Sequence, residues 1–247
     1  AAYWFSENGF FKYSGNLETM ICLVEDFVFN DLNTTATQLI NAGLNNLFGE
    51  ITWFYCSEGA TVVDRCVTYN YMESTPNRPI WTTGTLNRTT WQDSSVFGKP
   101  HGTDYDSTGT SYDVVGNTDG ATTYYEHETG TDQVKASATT AITANIESGD
   151  FDISQGGDGE FIMKVRRFIP DFISQTGNTQ ITLQLRNYSN DTQASSPLGP
   201  FTITSSTTKV DTRARGRALS LKVANTGASQ NWKLGGFRLD TQPDGRR

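Results

Sequence analysis

The chain has 247 residues, a net charge of −8, 36% hydrophobic and 12% aromatic residues, and 23 glycines. Its length is enough for one large or two ordinary domains. A sequence that is poor in aliphatic residues but rich in aromatic residues, Thr and Gly favours short strands and turns over helix bundles. No apolar run approaches the ~18 residues of a membrane-spanning helix and no export signal is visible, so we expect no membrane insertion.

Aromatic hairpins in the first part of the chain predict repeated small sheets. Asn8-Gly9 between two aromatic runs indicates a hairpin over residues 3–13. Further strands are predicted at 20–29, 50–55, 65–71 and 122–128, and residues 79–91 indicate a third unit of this kind. Aromatic pairs that recur roughly every 40–50 residues are typical of propeller blades, each a small twisted sheet. We therefore expect partial β-propeller blades in residues 1–140.

One helix and one long loop interrupt this pattern. Residues 31–43 begin with cap-type residues and end at Gly43, which predicts a short helix. Residues 98–121 are mostly Gly, Asp, Ser, Thr and Tyr, which predicts an exposed polar loop. Residues 129–141 are expected to link the two parts of the chain.

The second part alternates cleanly between apolar and polar residues. Ile181, Leu183 and Leu185 fall on one face of a strand, and three further stretches repeat this scheme: 161–165, 219–223 and 237–239. A hydrophobic period of two residues, with one face of the strand exposed to solvent, is typical of antiparallel sheets. About six such strands predict a jelly-roll-like β-sandwich in residues 141–247, and so an all-β protein.

The charge is divided unevenly between these two parts. Residues 1–140 contain 6 Lys and Arg against 17 Asp and Glu, hence −11, whereas residues 141–247 contain 13 against 10, hence +3. This asymmetry supports two domains with different surroundings. Neither part has the dense basic surface of a tight nucleic-acid binder.

The three cysteines are Cys22, Cys56 and Cys66. Cys56 and Cys66 flank a turn and could face each other across a hairpin, but we expect all three to be reduced, partly buried thiols. Only His101 and His127 are available as further zinc ligands and there is no Cys-x-x-Cys motif, so we expect no zinc site.

Carboxylate pairs at a spacing of two are the residues closest to a metal or catalytic motif. Two carboxylates on one face of a strand could bind calcium, but we expect solvated acidic side chains in the three pairs Asp104/Asp106, Asp150/Asp152 and Glu126/Glu128. His127 between Glu126 and Glu128 could be an oriented base, although a surface histidine is the expected interpretation. No nucleophile elbow, phosphate-binding loop or dinucleotide motif is present, so we expect neither enzyme activity nor a cofactor.

Arginines near the end of the chain form its most distinctive local feature. Arg213, Arg215 and Arg217 at a period of two would project from one face of a strand, and Arg238 and Arg246 follow nearby. Such a row can pair with the carboxylates of a neighbouring subunit or with phosphates. Three interpretations stay open: a subunit interface, nucleic-acid binding, or an intradomain network with acidic partners at positions Glu147, Asp150, Asp240 and Asp244.

Several motifs together resemble a family of tailed-phage virion proteins, the tail nozzle or tail tubular protein B family. The C-terminal motifs are RARGR (213–217), NWKLGGFRLD (231–240) and QPDGRR (242–247). Similar motifs in the front part are YWFSENGF (3–10), FGEITWFY (48–55), RCVTYNY (65–71), WTTGTLNRTTW (81–91), YEHE (125–128) and IESGDF (146–151). Relatives are longer and the chain begins without Met, so we expect it to be part of a longer protein.

This resemblance implies a structural virion protein, assembled in the host cytoplasm as a ring in the phage tail. Its partners would be copies of itself in a hexamer, other tail proteins such as the adaptor and tail fibre, and double-stranded DNA in transit. We expect acidic side chains of residues 1–140 to face the DNA channel, with Asp104, Asp106, Glu126 and Glu128 as candidates. The basic second part, with its arginines, would hold neighbouring subunits.

A lectin is the alternative function that the sequence suggests. Exposed aromatic side chains stack on sugars, and the candidates for host-glycan binding are Trp81, Trp91, Tyr105 and Tyr112. A depolymerase would need a pair of carboxylates across a cleft, and no motif supports one.

Overall fold

The computed structural model describes residues 1–106, 121–135, 138–154, 160–188, 191, 197–225 and 227–246. The side chains of Asp106, Ala121 and Arg246 lie outside this description. The protein is all-β, as the sequence predicts, and divides into two compact units, Ala1–Thr129 and Gly130–Arg247. With this boundary, the net charge of the first unit is still −11 (5 Lys and Arg against 16 Asp and Glu). The net charge of the second unit is still +3 (14 Lys and Arg against 11 Asp and Glu).

Three antiparallel meanders form the first unit. Their strands are β1 (Ala2–Ser6), β2 (Gly9–Tyr13) and β3 (Leu17–Thr19); β4 (Asn41–Asn45), β5 (Glu50–Tyr55), β6 (Arg65–Asn70) and β7 (Trp81–Gly84); and β8 (Thr90–Gln92), β9 (His101–Asp106) and β10 (Ala121–Glu126). Within each sheet, every strand pairs with the next one in sequence. The predicted hairpins at 3–13 and 50–71 are confirmed, and Ser6 pairs with Gly9 across the predicted turn.

An aromatic core holds the first two of these sheets together. Phe10 is fully buried and packs against Trp53 and Trp81, with ring centroids 5.2 and 4.7 Å apart. Each such side chain, once buried, contributes about 1.5–3 kcal/mol of hydrophobic free energy. A second cluster contains Phe54, Cys56 and Cys66. All three cysteines are free, as predicted, and burial raises the pKa of the Cys22 thiol to about 11.

Residues 20–29 do not form the predicted strand. They contain a loop and the helix α1 (Glu25–Asp31). Val24, Val28 and Leu32 are spaced by four residues, and this helical period places Val28 and Leu32 in the core. Acidic residues in the first turn also favour a helix, because they face its positive end.

The predicted helix at 31–43 is also wrong. This segment has only one 3-10 turn (Thr37–Leu39), and β4 begins at Asn41. The Asn33 side chain accepts hydrogen bonds from the main-chain N–H (2.9 Å) and the hydroxyl (2.7 Å) of Thr35, and it donates one to the Ala60 carbonyl (2.8 Å). Asn33 thereby holds a local turn that competes with the helix.

Two facing sheets form the β-sandwich predicted for the second unit. One sheet has the strand order β13 (Asn145–Glu147), β18 (Ala218–Ala224), β15 (Thr179–Arg186) and β16 (Leu198–Ile203), and the other β17 (Val210–Gly216), β14 (Phe161–Thr176) and β19 (Asn231–Arg246). Both sheets contribute side chains to one core around Phe168, Leu183 and Leu219. The strand β15 alternates strictly between buried and half-buried residues, as its sequence predicts.

Smaller corrections concern the connections. The hairpin of β11 (Asp132–Lys135) and β12 (Ala138–Ala141) occupies the segment expected to be a linker, and it belongs to the second unit. The helix α2 (Ser94–Phe97) precedes the predicted loop at 98–121. The first part of that segment contains the strand β9, and residues 107–120 lie outside the described residues. No helix in the part of the chain that the structure describes has the length and apolar character needed to cross a membrane.

Candidate functional site: a cationic groove on the second unit

The strand β17 presents its arginines to solvent because its residues alternate between the sandwich core and the outer face. Arg213 and Arg215 are exposed, whereas Ala214 between them is buried. The predicted arginine row is therefore confirmed for these two residues. Arg217 lies beyond the end of β17, and its Nη1 donates a hydrogen bond to the Glu160 carbonyl (3.1 Å).

The neighbouring strand β14 adds further cations that the arginine motif did not reveal. Lys164 lies directly opposite Arg215 in the antiparallel register, and Arg167 lies opposite Asp211. Together, the outer faces of β14, β17 and β19 form an open depression of about 520 Å³. We call it the cationic groove; its lining residues are Lys164, Arg166, Arg167, Asp211, Thr212, Arg213, Arg215, Asp240 and Asp244.

Two ion pairs neutralise part of this groove. Arg167 Nε lies 2.6 Å from Asp211 Oδ1, and Arg215 Nε lies 2.6 Å from Asp244 Oδ2. The hydrogen bond from Arg167 lowers the pKa of the Asp211 carboxyl below its usual value. In the described part of the chain, no ion pair engages the other three cations, which are Lys164, Arg166 and Arg213.

The expected intradomain network is therefore only partly present. Asp244 pairs with Arg215, and Asp240 lines the groove. Glu147 and Asp150 instead pair with other cations, at 3.8 Å from Lys222 and 3.2 Å from Arg186. Arg238 is exposed on β19 outside the groove, and the Arg246 side chain is not among those described.

The acidic candidates of the first unit are in three different environments. Asp104 is only 3% exposed, which contradicts its expected place on a channel surface. Its carboxylate accepts hydrogen bonds from Tyr125 Oη and the Thr123 N–H, both at 3.0 Å, and these partners stabilise the buried charge. Asp104 is thus a structural residue of the third sheet.

Glu126 and Glu128 are exposed, as expected of surface acids. Glu126 pairs with Lys99 (3.0 Å), and this contact lowers the pKa of the Glu126 carboxyl. Glu128 Oε1 accepts a hydrogen bond from Asn45 Nδ2 (3.0 Å). The Asp106 side chain lies outside the described residues, so only Glu126 and Glu128 keep an observed place on the surface.

His127 has a structural environment. Its Nε2 accepts a hydrogen bond from Arg88 Nε (2.9 Å), and its ring packs on Trp91. Burial, together with the charge of Arg88, lowers the His127 pKa to about 4. Because Nε2 already accepts from a buried guanidinium, His127 takes up a second proton only in acid, and it is poorly suited as a general base near neutral pH.

The aromatic residues proposed for sugar binding are mostly used for packing. Trp81 is 9% exposed, and its Nε1 donates a hydrogen bond to the Ile21 carbonyl (2.9 Å). Trp91 packs on Phe54 and donates a hydrogen bond to the Leu44 carbonyl (2.9 Å). Tyr105 is half-buried, and Tyr112 lies outside the described residues.

Among the residues that the structure describes, no group of three or more His, Cys, Asp or Glu side chains could hold a metal ion. Of the calcium candidates, Glu126 and Asp150 pair with cations, and Asp104 is buried. The cationic groove is therefore the strongest candidate site, and its charge fits an anionic partner. The sequence matches no family model, and no curated protein is significantly similar to it.

Proposed function

We propose that the chain is a non-enzymatic structural protein of a tailed-phage virion and that it assembles as a hexameric ring of the tail-nozzle type around the DNA conduit. The separation of charge between its two units carries this proposal: −11 on the first unit and +3 on the second. The motif resemblance to tail nozzle proteins points to the same function.

A conduit for DNA must not hold the phosphates, because each neutralised phosphate releases counterions and adds affinity. An acidic unit repeated around a ring would repel DNA and allow it to slide. Asp104 is buried and Glu126 is neutralised by Lys99, so Glu128 and other exposed carboxylates must supply this field. Exposed candidates on the first unit are Glu7, Glu58 and Glu73.

Exposed apolar side chains support an assembled state for the first unit. Of the 21 large hydrophobic side chains that are exposed in the described residues, 15 belong to this unit. Extensive exposed apolar surface is typical of regions that other proteins or subunits cover. Three successive antiparallel meanders are also the form that propeller blades take, which supports the propeller in this proposal.

The lectin alternative receives less support. It requires aromatic rings with a free face, but Trp81 and Trp91 pack inside the first unit and use their indole N–H groups for main-chain hydrogen bonds. A host-polysaccharide titration that leaves tryptophan fluorescence unchanged is the result we expect.

The assembly state tests the proposed function. We expect electron-microscopy class averages of the purified chain to show closed rings with six subunits, and antibodies against the chain to label the tails of phage particles that contain it. A chain that stays monomeric at high concentration and is absent from purified particles would contradict the proposal.

A further inference from the structure

We propose that the cationic groove binds an acidic segment of a second copy of the chain, residues 21–27 at the start of the helix α1, which we call the α1 segment. The contact would join Lys164, Arg166 and Arg213 on one side to Glu25 and Asp26 on the other. This inference rests on the proposed ring assembly and names the contact that holds it together.

The groove has an excess of positive charge that the chain itself does not balance. Its lining contains five Lys and Arg side chains against three Asp side chains. Lys164 and Arg215 are directly opposite each other on neighbouring strands, and like charges in this position destabilise a sheet. Asp244 relieves this repulsion only at Arg215. Carboxylates from a partner would relieve the rest.

The α1 segment, residues 21–27, has the matching properties on the first unit. Glu25 and Asp26 are exposed, and no ion pair engages them within the described residues. Their near neighbours in sequence include the apolar residues Ile21, Leu23 and Phe27, whose side chains are 63%, 71% and 57% exposed. Exposed apolar and charged residues in one short segment are typical of a protein interface.

Protein carboxylates fit the groove better than a DNA backbone does. Asp211, Asp240 and Asp244 line the same depression and would repel a continuous row of phosphates. Single carboxylates, by contrast, can reach Arg166 and Arg213 individually and form charge-assisted hydrogen bonds. The net charge of −8 also disfavours DNA as the partner of the whole chain.

The two surfaces belong to different units, and in the proposed ring the contact is heterologous: the groove of one copy binds the α1 segment of the next. A contact of this type leaves one groove and one α1 segment free in any open chain of subunits. It therefore repeats from copy to copy and produces a closed ring when the rotation between neighbours closes. This geometry agrees with the ring that we propose.

Charge reversal on each side tests the contact. We expect Arg166→Glu/Arg213→Glu and, separately, Glu25→Lys/Asp26→Lys to weaken self-association about tenfold or more in 150 mM NaCl, since close interfacial charge pairs couple strongly. Mixing these two variants should restore association, because each variant then meets a partner of opposite charge. Sedimentation equilibrium measures all of these species on the full chain, and circular dichroism checks their folding.

Matched controls reverse the same number of charges elsewhere. Arg78→Glu/Lys233→Glu changes two exposed cations outside the groove, and Glu18→Lys/Asp171→Lys changes two exposed acids outside the α1 segment and the groove. We expect both controls to assemble like the wild type, and a 30-base-pair DNA duplex to bind no variant measurably at this salt concentration.

Different results overturn different claims. If the wild type forms rings and the Arg166/Arg213 and Glu25/Asp26 variants do so equally well, the contact is wrong while the ring survives. Failure of the mixed variants to restore association, or DNA binding that requires Arg166 and Arg213, would also overturn the contact. If the wild type itself forms no rings, the proposed function falls together with this inference.

Discussion

At the residue scale, the buried Arg88 shows how the third sheet keeps a charge away from water. Its side chain is 4% exposed and lies 4.0 Å above the ring of Tyr125. Arg88 Nε donates to His127, and Nη1 donates to the Asn87 carbonyl (2.8 Å). Tyr125 in turn donates to Asp104, so the positive and negative groups belong to one polar cluster. Such a cluster is stable only while each member has its partners.

The pKa of His127 predicts a loss of stability in mild acid. The folded chain protonates His127 only near pH 4, whereas the unfolded chain does so near 6.5. The unfolded state therefore binds more protons as the pH falls from about 6.5 to 4, and the stability present above 6.5 is lost across this window. We expect the free energy of unfolding to fall by about 2 kcal/mol. This is less than the full pKa difference would give, because the side chain is only partly buried and solvent screens its charge.

The variant His127→Gln tests this effect, since its side-chain oxygen can still accept the hydrogen bond from Arg88. Urea unfolding at pH 7 and pH 4.5 should show a smaller difference in the free energy of unfolding for this variant than for the wild type. Equal differences would show that other groups, such as the carboxylates, cause the whole acid effect.

The sequence predicts residue environments well only where they depend on near neighbours. The alternation of Arg213, Ala214 and Arg215 follows from the period of a single strand, and it is correct. By contrast, Lys164 joins the arginine face only because β14 pairs with β17, which lies some 50 residues further along the chain. The sequence likewise predicts Asp104 on a surface. Its two hydrogen-bond partners, Tyr125 and Thr123, come from the next strand, and the local pattern around Asp104 does not reveal them.

At the element scale, the contact between β4 and β8 joins the second and third sheets of the first unit. Gly43 on β4 faces the indole of Trp91 on β8, and a Cβ atom there would lie 2.5 Å from Trp91 Cγ. Asn41 Nδ2 also donates to the Arg88 carbonyl (2.9 Å), just before β8. The absence of a side chain at Gly43 is therefore what permits the two sheets to approach.

Gly43→Ala should weaken this junction. Its added methyl group must displace the Trp91 ring, and overpacking of this kind costs about 1–3 kcal/mol. We expect the free energy of unfolding of the first unit to fall by this amount, measured by urea titration with tryptophan fluorescence. Gly236→Ala is the control, since nothing lies within 4 Å of a Cβ atom at that position and its effect should be small.

Gly43 also explains why the sequence misplaced a helix. In the sequence, Gly43 resembles the stop signal of a helix over 31–43, whereas in the structure it is a close-packing position within β4. Both roles favour glycine, and only the neighbouring sheet distinguishes them. The hairpin at Asn8-Gly9 was predicted correctly because its turn needs no distant partner.

At the scale of the whole molecule, each unit has a hydrophobic core of its own. Phe168 is fully buried in the sandwich and packs edge-on against Phe201, with ring centroids 5.6 Å apart. Phe10 has the same role in the first unit, between Trp53 and Trp81. The alternation and the aromatic spacing in the sequence also predict two parts, with the boundary near residue 140.

Separate cores predict two cooperative unfolding transitions in differential scanning calorimetry. Phe168→Ala and Phe10→Ala each remove a buried ring and should cost about 3–5 kcal/mol. Each variant should lower the midpoint of one transition by about 10 °C or more and leave the other within a few degrees. If either substitution shifted both midpoints equally, the two units would unfold as a single cooperative body. Separate cores would then not be enough to make the units unfold independently.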